Sequence, residues 1–344
     1  MIYIGMDVSS KSFVVHGINE RKKVVLRDEI PATRSALRAT VRGVGRGPKL
    51  VVFEAGNQLK WIALTLKKLK DVHVHVVHPN EVKWISQSSG KTDKVDARKL
   101  AELARGDLLP RKVHIVEGSV RQLRELISAR TSLQSKRVAL INMIRGYMLQ
   151  EGRKLPKKFF QRKDWKDQLQ RVKVGEVTKL IIASFMTSIE ALLASELELT
   201  KRILAIEDKR LDLIESIPSI GQMTSRVILS AVDNAKRFDN KKAAAKYGAL
   251  TPTIYQSGAV VHLGRINRDG RHEVRRVLLQ CAHTLTRMKS ASARPLKQFY
   301  VRIMKKRGKK IAVVALARKL MTIAYGVLKS GQYYDFTKLA ACTG

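Results

Sequence analysis

The amino-terminal third of the chain alternates short apolar runs with polar turns, as the strands and helices of an α/β domain do. Helical spacing of apolar residues appears at residues 61–69 and 96–105. The runs that read as strands are residues 2–8, 13–18, 24–26, 50–53 and 72–77. Strands followed by a strand–helix–strand alternation predict an α/β domain over roughly residues 1–112.

The middle of the chain is helical by its apolar spacing. From Val120 to Met148 apolar residues recur at helical intervals, and a basic irregular segment, residues 152–173, follows. A second series then alternates steps of three and four, with eight of ten positions apolar: Ile182, Phe185, Ile189, Leu192, Glu196, Leu199, Ile203, Ile206, Arg210 and Leu213. This spacing predicts a coiled-coil linker over residues 113–214, packed within one chain, between chains, or both.

The remaining residues, 215–344, are predicted to form a mostly helical domain. The pattern breaks at residues 216–221, Ser-Ile-Pro-Ser-Ile-Gly, and a new helix starts near Gln222. Helix, turn and helix in this arrangement resemble a helix-hairpin-helix, whose turn presents backbone N–H groups to a phosphate. Ser219 stands where that motif usually has glycine, so a plain helix–helix turn is the alternative.

The net charge of the chain predicts a binding partner. The chain of 344 residues has 67 Lys and Arg against 29 Asp and Glu, a net charge of +38. Its hydrophobic content of 44% is enough for packed cores, which excludes a disordered basic tail. The excess predicts a polyanionic partner, with nucleic acid ahead of an anionic membrane surface.

The basic residues are densest near the carboxyl end. Residues 251–344 hold 19 basic and three acidic side chains, a net of 19 − 3 = +16. The most concentrated run predicts contact with phosphates, and its alternative is a solvated loop between two helices. That run is Lys305, Lys306, Arg307, Lys309 and Lys310.

The sequence also indicates a compartment. We expect no transmembrane helix, because no stretch approaches 18 apolar residues without a charge. Asp7 interrupts the apolar start where a signal peptide would continue. The only two cysteines, Cys281 and Cys342, have no nearby partner, which is typical of a reduced, cytosolic chain without a zinc framework.

Four acidic residues stand at the ends of predicted elements. Asp7 follows the first strand, Glu54 closes the 50–53 strand, and Asp93 and Asp96 lie three apart at a helix start. Carboxylates on one helix face repel each other unless a cation neutralises them, and hard oxygen ligands suit Mg²⁺ or Mn²⁺. The order of the four is typical of a ribonuclease-H-like nuclease core. Asp93 could instead cap its helix.

The motifs match a known family over almost the whole chain. The amino-terminal segments are IGMDVSSKSF, VVFEAGN and GKTDKVDARKLAELAR; the carboxy-terminal ones include ESIPSIGQMTS, YQSGAVVHLGRINRDGRHEVRRVLLQCA and ARKLMTIAYGVLKSGQYYD. The chain resembles the DEDD transposases of the IS110 group of insertion sequences, understood as bridge-RNA-guided serine recombinases. The resemblance implies a resolvase-like (RuvC-like) domain at residues 1–112 and a transposase domain at 215–344.

The resemblance also implies roles for single residues. Asp7, Glu54, Asp93 and Asp96 would be the catalytic, metal-binding set, and Ser257 the nucleophile that forms a covalent phosphoserine with DNA. From the residues alone, Ser257 could be an ordinary turn serine, and Tyr255 could be a rival nucleophile. Three guanidinium groups that follow could hold the transferring phosphate, those of Arg265, Arg268 and Arg271.

The implied partners are target and donor DNA, a structured guide RNA that pairs with both, and further copies of the chain. The homo-oligomer, a dimer or tetramer, would combine the acidic domain of one protomer with the serine domain of another. The expected location is the cytoplasm of a prokaryotic cell, in association with its nucleoid. Two alternatives use the same residues: a Holliday-junction-type metal-dependent endonuclease that hydrolyses with water, and a non-catalytic nucleic-acid-binding protein.

Overall fold

The computed structural model describes residues 1–82, 93–257, 260–267 and 270–337, without the side chains of 254–257, 260, 261 and 263. Contacts divide the chain into two compact units, residues 1–115 and 116–344. The expectation of a mixed α/β chain with a mainly helical carboxy-terminal part is confirmed. The second unit contains the predicted transposase domain and all of the predicted helical linker except residues 113–115. The boundary between the linker and the transposase domain stays a prediction.

The first unit is built on a five-stranded sheet. Its strands lie in the order β3-β2-β1-β4-β5, with antiparallel pairing from β3 to β1 and parallel pairing from β1 to β5. The strands are β1 (Ile2–Val8), β2 (Ser12–Asn19), β3 (Val24–Pro31), β4 (Lys49–Glu54) and β5 (Val72–Val77). The helices are α1 (Arg34–Gly43), α2 (Leu59–Leu66) and α3 (Asp93–Arg105). All five predicted strands are therefore confirmed.

Both faces of this sheet are covered, because side chains alternate between faces along each strand. One face presents Ile4, Met6 and Phe53 to an apolar cluster that includes residues of α1 and α2. The opposite face presents Val52 and Val77 to residues of α3. Helix α1 was not predicted from the sequence, since its buried side chains are only Leu37 and Val41.

The second unit is mainly helical and carries one short hairpin. Its strands β6 (Pro252–Ser257) and β7 (Val260–Ile266) pair antiparallel. Its first five helices are α4 (Gly118–Gln150), α5 (Trp165–Gln170), α6 (Glu176–Leu204), α7 (Arg210–Glu215) and α8 (Gln222–Val232). Its last four are α9 (Lys241–Tyr247), α10 (His272–Leu285), α11 (Arg294–Arg307) and α12 (Lys309–Ser330).

The two long helices α4 and α6 pack against each other within the chain. Arg137 of α4 forms an ion pair of 2.6 Å with Glu196, a buried polar position of the predicted seam. Arg130 donates to Thr200 at 2.7 Å, and Met148 belongs to the same apolar cluster as Ile182. The order of these contacts makes the pair antiparallel, so at least part of the predicted seam is used inside one chain.

The seam does not run along one helix as predicted, because α6 ends at Leu204 and α7 begins at Arg210. The buried guanidinium of Arg226 explains the end. It donates to the carbonyl oxygens of Ile203 at 3.0 Å, Leu204 at 2.8 Å and Ile206 at 3.2 Å. The carbonyls of Ile203 and Leu204 belong to the last turn of the helix, where they lack intrahelical donors, and that of Ile206 lies just beyond it. The prediction of one helix continuing to Leu213 was therefore wrong.

Further arginines hold the ends of helices in the same way. Arg124 donates to the carbonyl oxygen of Ser230 at 2.7 Å, and burial lowers the pKa of its guanidinium. Arg237 donates to the carbonyl oxygen of Ala231 at 2.8 Å and lies 4.0 Å above the ring of Phe238. Part of the excess positive charge is thus structural and is unavailable to a polyanion.

The predicted break at residues 216–221 is a tight turn between α7 and α8. Ser219 adopts a φ of 72°, the left-handed region that glycine enters without steric cost. Its Oγ is buried and finds no hydrogen-bond partner among the described residues. Serine thus takes the conformation that a glycine at this position would favour.

Ser219→Gly is expected to stabilise the second unit by about 1–2 kcal/mol. Left-handed backbone costs a residue with a Cβ roughly 1–2 kcal/mol, and an unsatisfied buried hydroxyl costs about 1–3 kcal/mol. Glycine has more conformational freedom in the unfolded chain, and this offsets roughly 0.5–1 kcal/mol of the stabilisation. Denaturant unfolding measures the change. Ser216→Gly is the control, because Ser216 accepts from the backbone N–H of Tyr334 at 2.9 Å. That variant should lose stability, and equal losses in both would contradict the expectation.

Within the described residues, two helices are long and apolar enough to cross a membrane by length and composition, α6 and α12. Half of the apolar window of α12 is buried in the protein, as in a core helix. Only 17% of the window of α6 is buried. Burial in the core of this chain therefore does not explain the apolar residues of α6.

Candidate active site

Asp7 and Glu54 lie side by side at the carboxyl ends of neighbouring strands. Strands β1 and β4 are parallel, and their paired residues end at Met6 and Phe53, one position before each acid. In this register Asp7 lies on the face of Gly5, and Glu54 on the face of Val52, which pairs with Gly5. The two carboxylates therefore share one face of the sheet, and both are half-buried.

Helix α3 covers this face and approaches it closely at Gly5. A Cβ placed on Gly5 would lie 2.0 Å from the carbonyl oxygen of Ala97 and 2.7 Å from the backbone nitrogen of Ala101. Only glycine leaves room for this contact between a strand and a helix backbone. Gly5 is two residues before Asp7, so the contact places the first turn of α3 on the face that bears the two carboxylates.

Asp93 and Asp96 occupy that first turn of α3. The side chain of Asp93 is exposed, and Asp96 is half-buried. The Oδ1 atom of Asp96 is fully buried and has no hydrogen-bond partner among the described residues. A buried carboxylate oxygen without a donor is costly, which indicates that a cation or a donor beyond the described residues completes it. The positive end of the helix dipole also favours both acids here.

The four acids do not form a closed metal site. Across the ranges that the structure describes, no three His, Cys, Asp or Glu side chains are gathered closely enough to hold an ion. What fits a divalent cation is the donor type, carboxylate oxygen throughout, and the buried oxygen of Asp96. The acids predicted from the sequence thus suit Mg²⁺ or Mn²⁺ by their donor atoms. Asp7 and Glu54 also lie on the sheet face that α3 covers.

One buried histidine lies under α3 on the same face. His16 of β2 pairs with Gly5 and is 8% exposed. Burial lowers the pKa of its imidazole, and the positive charges of Arg27 and Arg98 lower it further. The ring is therefore neutral near pH 7 and adds no positive charge beside the acids. Sequence reasoning missed both Gly5 and His16, although a glycine inside an apolar strand is a signal of close backbone approach.

The predicted nucleophile lies in the second unit, on the β6–β7 hairpin. Ser257 is the last residue of β6 and pairs with Val260, and its side chain lies outside the described residues, as does Arg268. Arg265 is on β7 and exposed. The backbone N–H of Asn267 donates to the carbonyl oxygen of Thr251 at 2.8 Å and ties the hairpin's ends together.

Arg271 is more constrained than the other predicted phosphate ligands. Its Nη2 lies 2.6 Å from Oε1 of Glu273, and its backbone N–H donates to Tyr247 at 2.8 Å. Its buried Nε has no hydrogen-bond acceptor in the described ranges. Its Nη2 also lacks a hydrogen-bond acceptor there, although the ion pair with Glu273 balances part of the guanidinium charge.

The basic run at residues 305–310 is the junction of two helices. It covers the last turn of α11, Gly308 and the first residues of α12. Gly308 adopts a φ of 81° and a ψ of 165°, a conformation essentially restricted to glycine. All five cationic side chains of the run are exposed. The predicted cationic surface is therefore exposed and lies at the junction of α11 and α12.

Comparison with known proteins agrees with this architecture. A model of DEDD transposases of the IS110 type matches residues 4–152, and a model described as the transposase IS116/IS110/IS902 family matches residues 211–298. The first match includes the four acids, and the second includes the β6–β7 hairpin. Each of the two candidate regions, the acidic one and the hairpin with Ser257, is therefore matched by its own family model.

Individual relatives agree with the family models. A putative transposase of Sinorhizobium fredii is 24% identical over 97% of this chain and 86% of its own length. The transposase for insertion sequence element IS1111A of Coxiella burnetii is 25% identical over 96% of this chain and 90% of its own length. A pilin gene-inverting protein of Moraxella bovis is 33% identical over 37% of this chain and 39% of its own length. On this evidence, the chain belongs to the IS110/IS116 family of insertion-sequence transposases.

Proposed function

We propose that this transposase cuts and exchanges DNA strands through a covalent phosphoserine at Ser257, with Asp7, Glu54, Asp93 and Asp96 as its divalent metal site. The observation that carries the proposal is the shared face of Asp7 and Glu54 beneath α3, whose Asp96 presents a buried, unsatisfied oxygen. The ribonuclease-H-like character of the first unit is part of the proposal. The strand order β3-β2-β1-β4-β5 supports it.

The carboxylates would hold Mg²⁺, or Mn²⁺ in its place, which stabilises negative charge on phosphate oxygens and activates a hydroxyl. Asp7 and Glu54 would hold the ion from the sheet, and Asp96 from the helix. The buried Oδ1 of Asp96 would be the ligand oxygen on the helix side of the ion. The neutral imidazole of His16 would itself add no positive charge on that face.

The group transfer itself balances without a co-reactant. The Ser257 hydroxyl attacks a DNA phosphorus, a new O–P bond forms, and the P–O bond to the leaving deoxyribose oxygen breaks. The hydroxyl proton passes to a base, and the leaving oxygen takes up a proton. A second strand end then attacks the phosphoserine and releases the serine, so the number of phosphodiester bonds is conserved.

Asp7→Asn, Glu54→Gln and Asp96→Asn are each expected to lower strand exchange at least about 10²-fold, since each removes a ligand charge but little volume. DNA binding should persist, because the binding surface is separately cationic. Gel assays of exchange and binding, in Mg²⁺ and in EDTA, measure both. Asp107→Asn, an exposed acid just beyond α3, is the matched control. Unchanged exchange in all three variants would contradict the proposed metal site. A wild type that binds DNA but shows no exchange would favour the non-catalytic nucleic-acid-binding alternative.

We include a guide RNA in the proposal. The net charge of +38 supports it, since a protein that holds RNA and DNA together neutralises more phosphate than a duplex binder does. The RNA would pair with target and donor DNA, and protein contacts to it would be mostly to the backbone. The proposed place of action is the cytoplasm of a prokaryotic cell, on its nucleoid DNA.

The exposed face of α6 supports a homo-oligomer, which we also propose. Val177, Leu180 and Leu197 are 73%, 73% and 57% exposed. Between Leu180 and Leu197 the only charged residues are Glu190 and Glu196. A helix so poor in charge within such a basic chain favours a protein surface over a phosphate, and a second copy of the same helix presents the same exposed apolar side chains.

Leu180→Lys combined with Leu197→Lys is expected to dissociate that oligomer. Light scattering after size exclusion should give a multiple of 38.7 kDa for the wild type and 38.7 kDa for the double variant. Lys179→Gln with Lys201→Gln, on the same helix, changes charge without adding it to the apolar positions and should leave the mass unchanged. A wild-type mass of one chain would contradict this part of the proposal.

A further inference from the structure

A groove in the second unit lies beside α11 and is separate from the β6–β7 hairpin. Its volume is about 500 Å³, within the roughly 300–1,000 Å³ typical of small-ligand sites. One wall is a face of α11, and the other is the turn at residues 288–290. Lys297 joins the two walls, since its Nζ donates to the carbonyl oxygen of Met288 at 2.8 Å.

The rim of the groove is cationic. Five of its lining residues are basic: Lys289, Arg294, Lys297, Arg302 and Lys305. None of the five has an ion pair with a carboxylate in the part of the chain that the structure describes. The sequence explains this, because every charged residue from Val274 to Tyr334 is a lysine or arginine. The rim thus carries unneutralised charge, which selects a polyanion over a neutral ligand.

The floor of the groove is apolar. Met288 and Val301 line it, and Val301 is 38% exposed. The aliphatic stems of the long basic side chains extend this surface. An apolar floor inside a cationic rim matches a nucleotide, whose base has an apolar face and whose phosphates are anionic. Paired bases are held in a stack, and extracting one costs unpairing energy, so an already unpaired nucleotide fits best.

We infer that this groove binds an unpaired nucleotide of a single-stranded nucleic acid, with the base on Met288 and Val301 and the adjoining phosphates on Arg294 and Lys305. The inference rests on the proposed function, which supplies the nucleic acid, and adds to it a site for single-stranded segments. The strand can be a loop of the RNA or a displaced strand of DNA.

The test compares binding of labelled 12-nucleotide RNA, DNA and duplex DNA to the full chain by fluorescence anisotropy over a salt series. Arg294→Gln with Lys305→Gln should weaken single-strand binding about tenfold and reduce its salt slope by about 1.4, the value for two lost phosphate contacts. Lys157→Gln with Lys158→Gln removes the same charge from exposed positions outside the groove and should have a much smaller effect. Equal losses in the two double variants would overturn the inference.

Val301→Asn tests the floor, because it removes the apolar contact without changing the charge. It should weaken single-strand binding and leave duplex binding within twofold of the wild type, with an unchanged melting temperature. An equal loss for duplex would overturn the inference. The stronger of the RNA and DNA signals identifies the source of the strand. The binding assay contains neither a metal ion nor an exchange substrate. Its result therefore does not depend on the proposed strand exchange, and the groove can bind a single strand even if that proposal fails.

Discussion

Gly5→Ala is expected to destabilise the first unit by about 3 kcal/mol or more and to abolish strand exchange. The added Cβ would lie 2.0 Å from the carbonyl oxygen of Ala97. Both atoms belong to rigid elements, a central strand and a helix backbone, so no side-chain rotation relieves the clash. The helix must move away from the sheet, and Asp93 and Asp96 move with it.

Unfolding in denaturant and a strand-exchange assay measure the two effects of Gly5→Ala. Gly43→Ala is the matched control, since a Cβ at Gly43, the last residue of α1, meets nothing within 4 Å. Alanine there should be neutral or stabilising by up to about 1 kcal/mol. If the two variants behaved alike, the contact of α3 with β1 would not exist in solution.

Ser257→Ala is expected to eliminate the covalent protein–DNA adduct and to lower strand exchange at least about 10³-fold, because alanine has no nucleophile. The wild type should form an adduct that survives denaturing electrophoresis and contains labelled DNA. Under the proposal this adduct forms only when the guide RNA is present. The RNA-free reaction is therefore an internal comparison in the same experiment.

Tyr255→Phe is the control for Ser257→Ala, since Tyr255 is the other hydroxyl-bearing candidate in that segment. It should keep the adduct and most of the exchange. Loss of the adduct in Tyr255→Phe alone would assign the chemistry to tyrosine. A wild type without any adduct, combined with cutting by Ser257→Ala, would favour the metal-dependent endonuclease that uses water.

Much of the first unit could be predicted because local patterns decide it. The strands are continuous apolar or alternating runs. Glu54 is the last residue of β4, and Asp7 is the last but one of β1. Helix α1 was missed because arginines occupy much of it and only Leu37 and Val41 are buried. The predicted end of α6 was wrong for a different reason. Apolar spacing continues past Leu204, but the helix stops where Arg226 takes its last carbonyl groups.

The sequence by itself determined the order of the elements, the excess of positive charge and the acids at strand ends, since these depend on residue type and local spacing. Only the tertiary structure decided which charges are available. It buries Arg226 against a helix end and leaves Arg294 and Lys305 on the rim of a groove. It also buries an oxygen of Asp96, on the helix that covers the sheet, for which the described residues offer no donor. Burial and hydrogen bonding depend on residues distant in the chain, so identical side chains receive structural or binding roles only when the chain has folded.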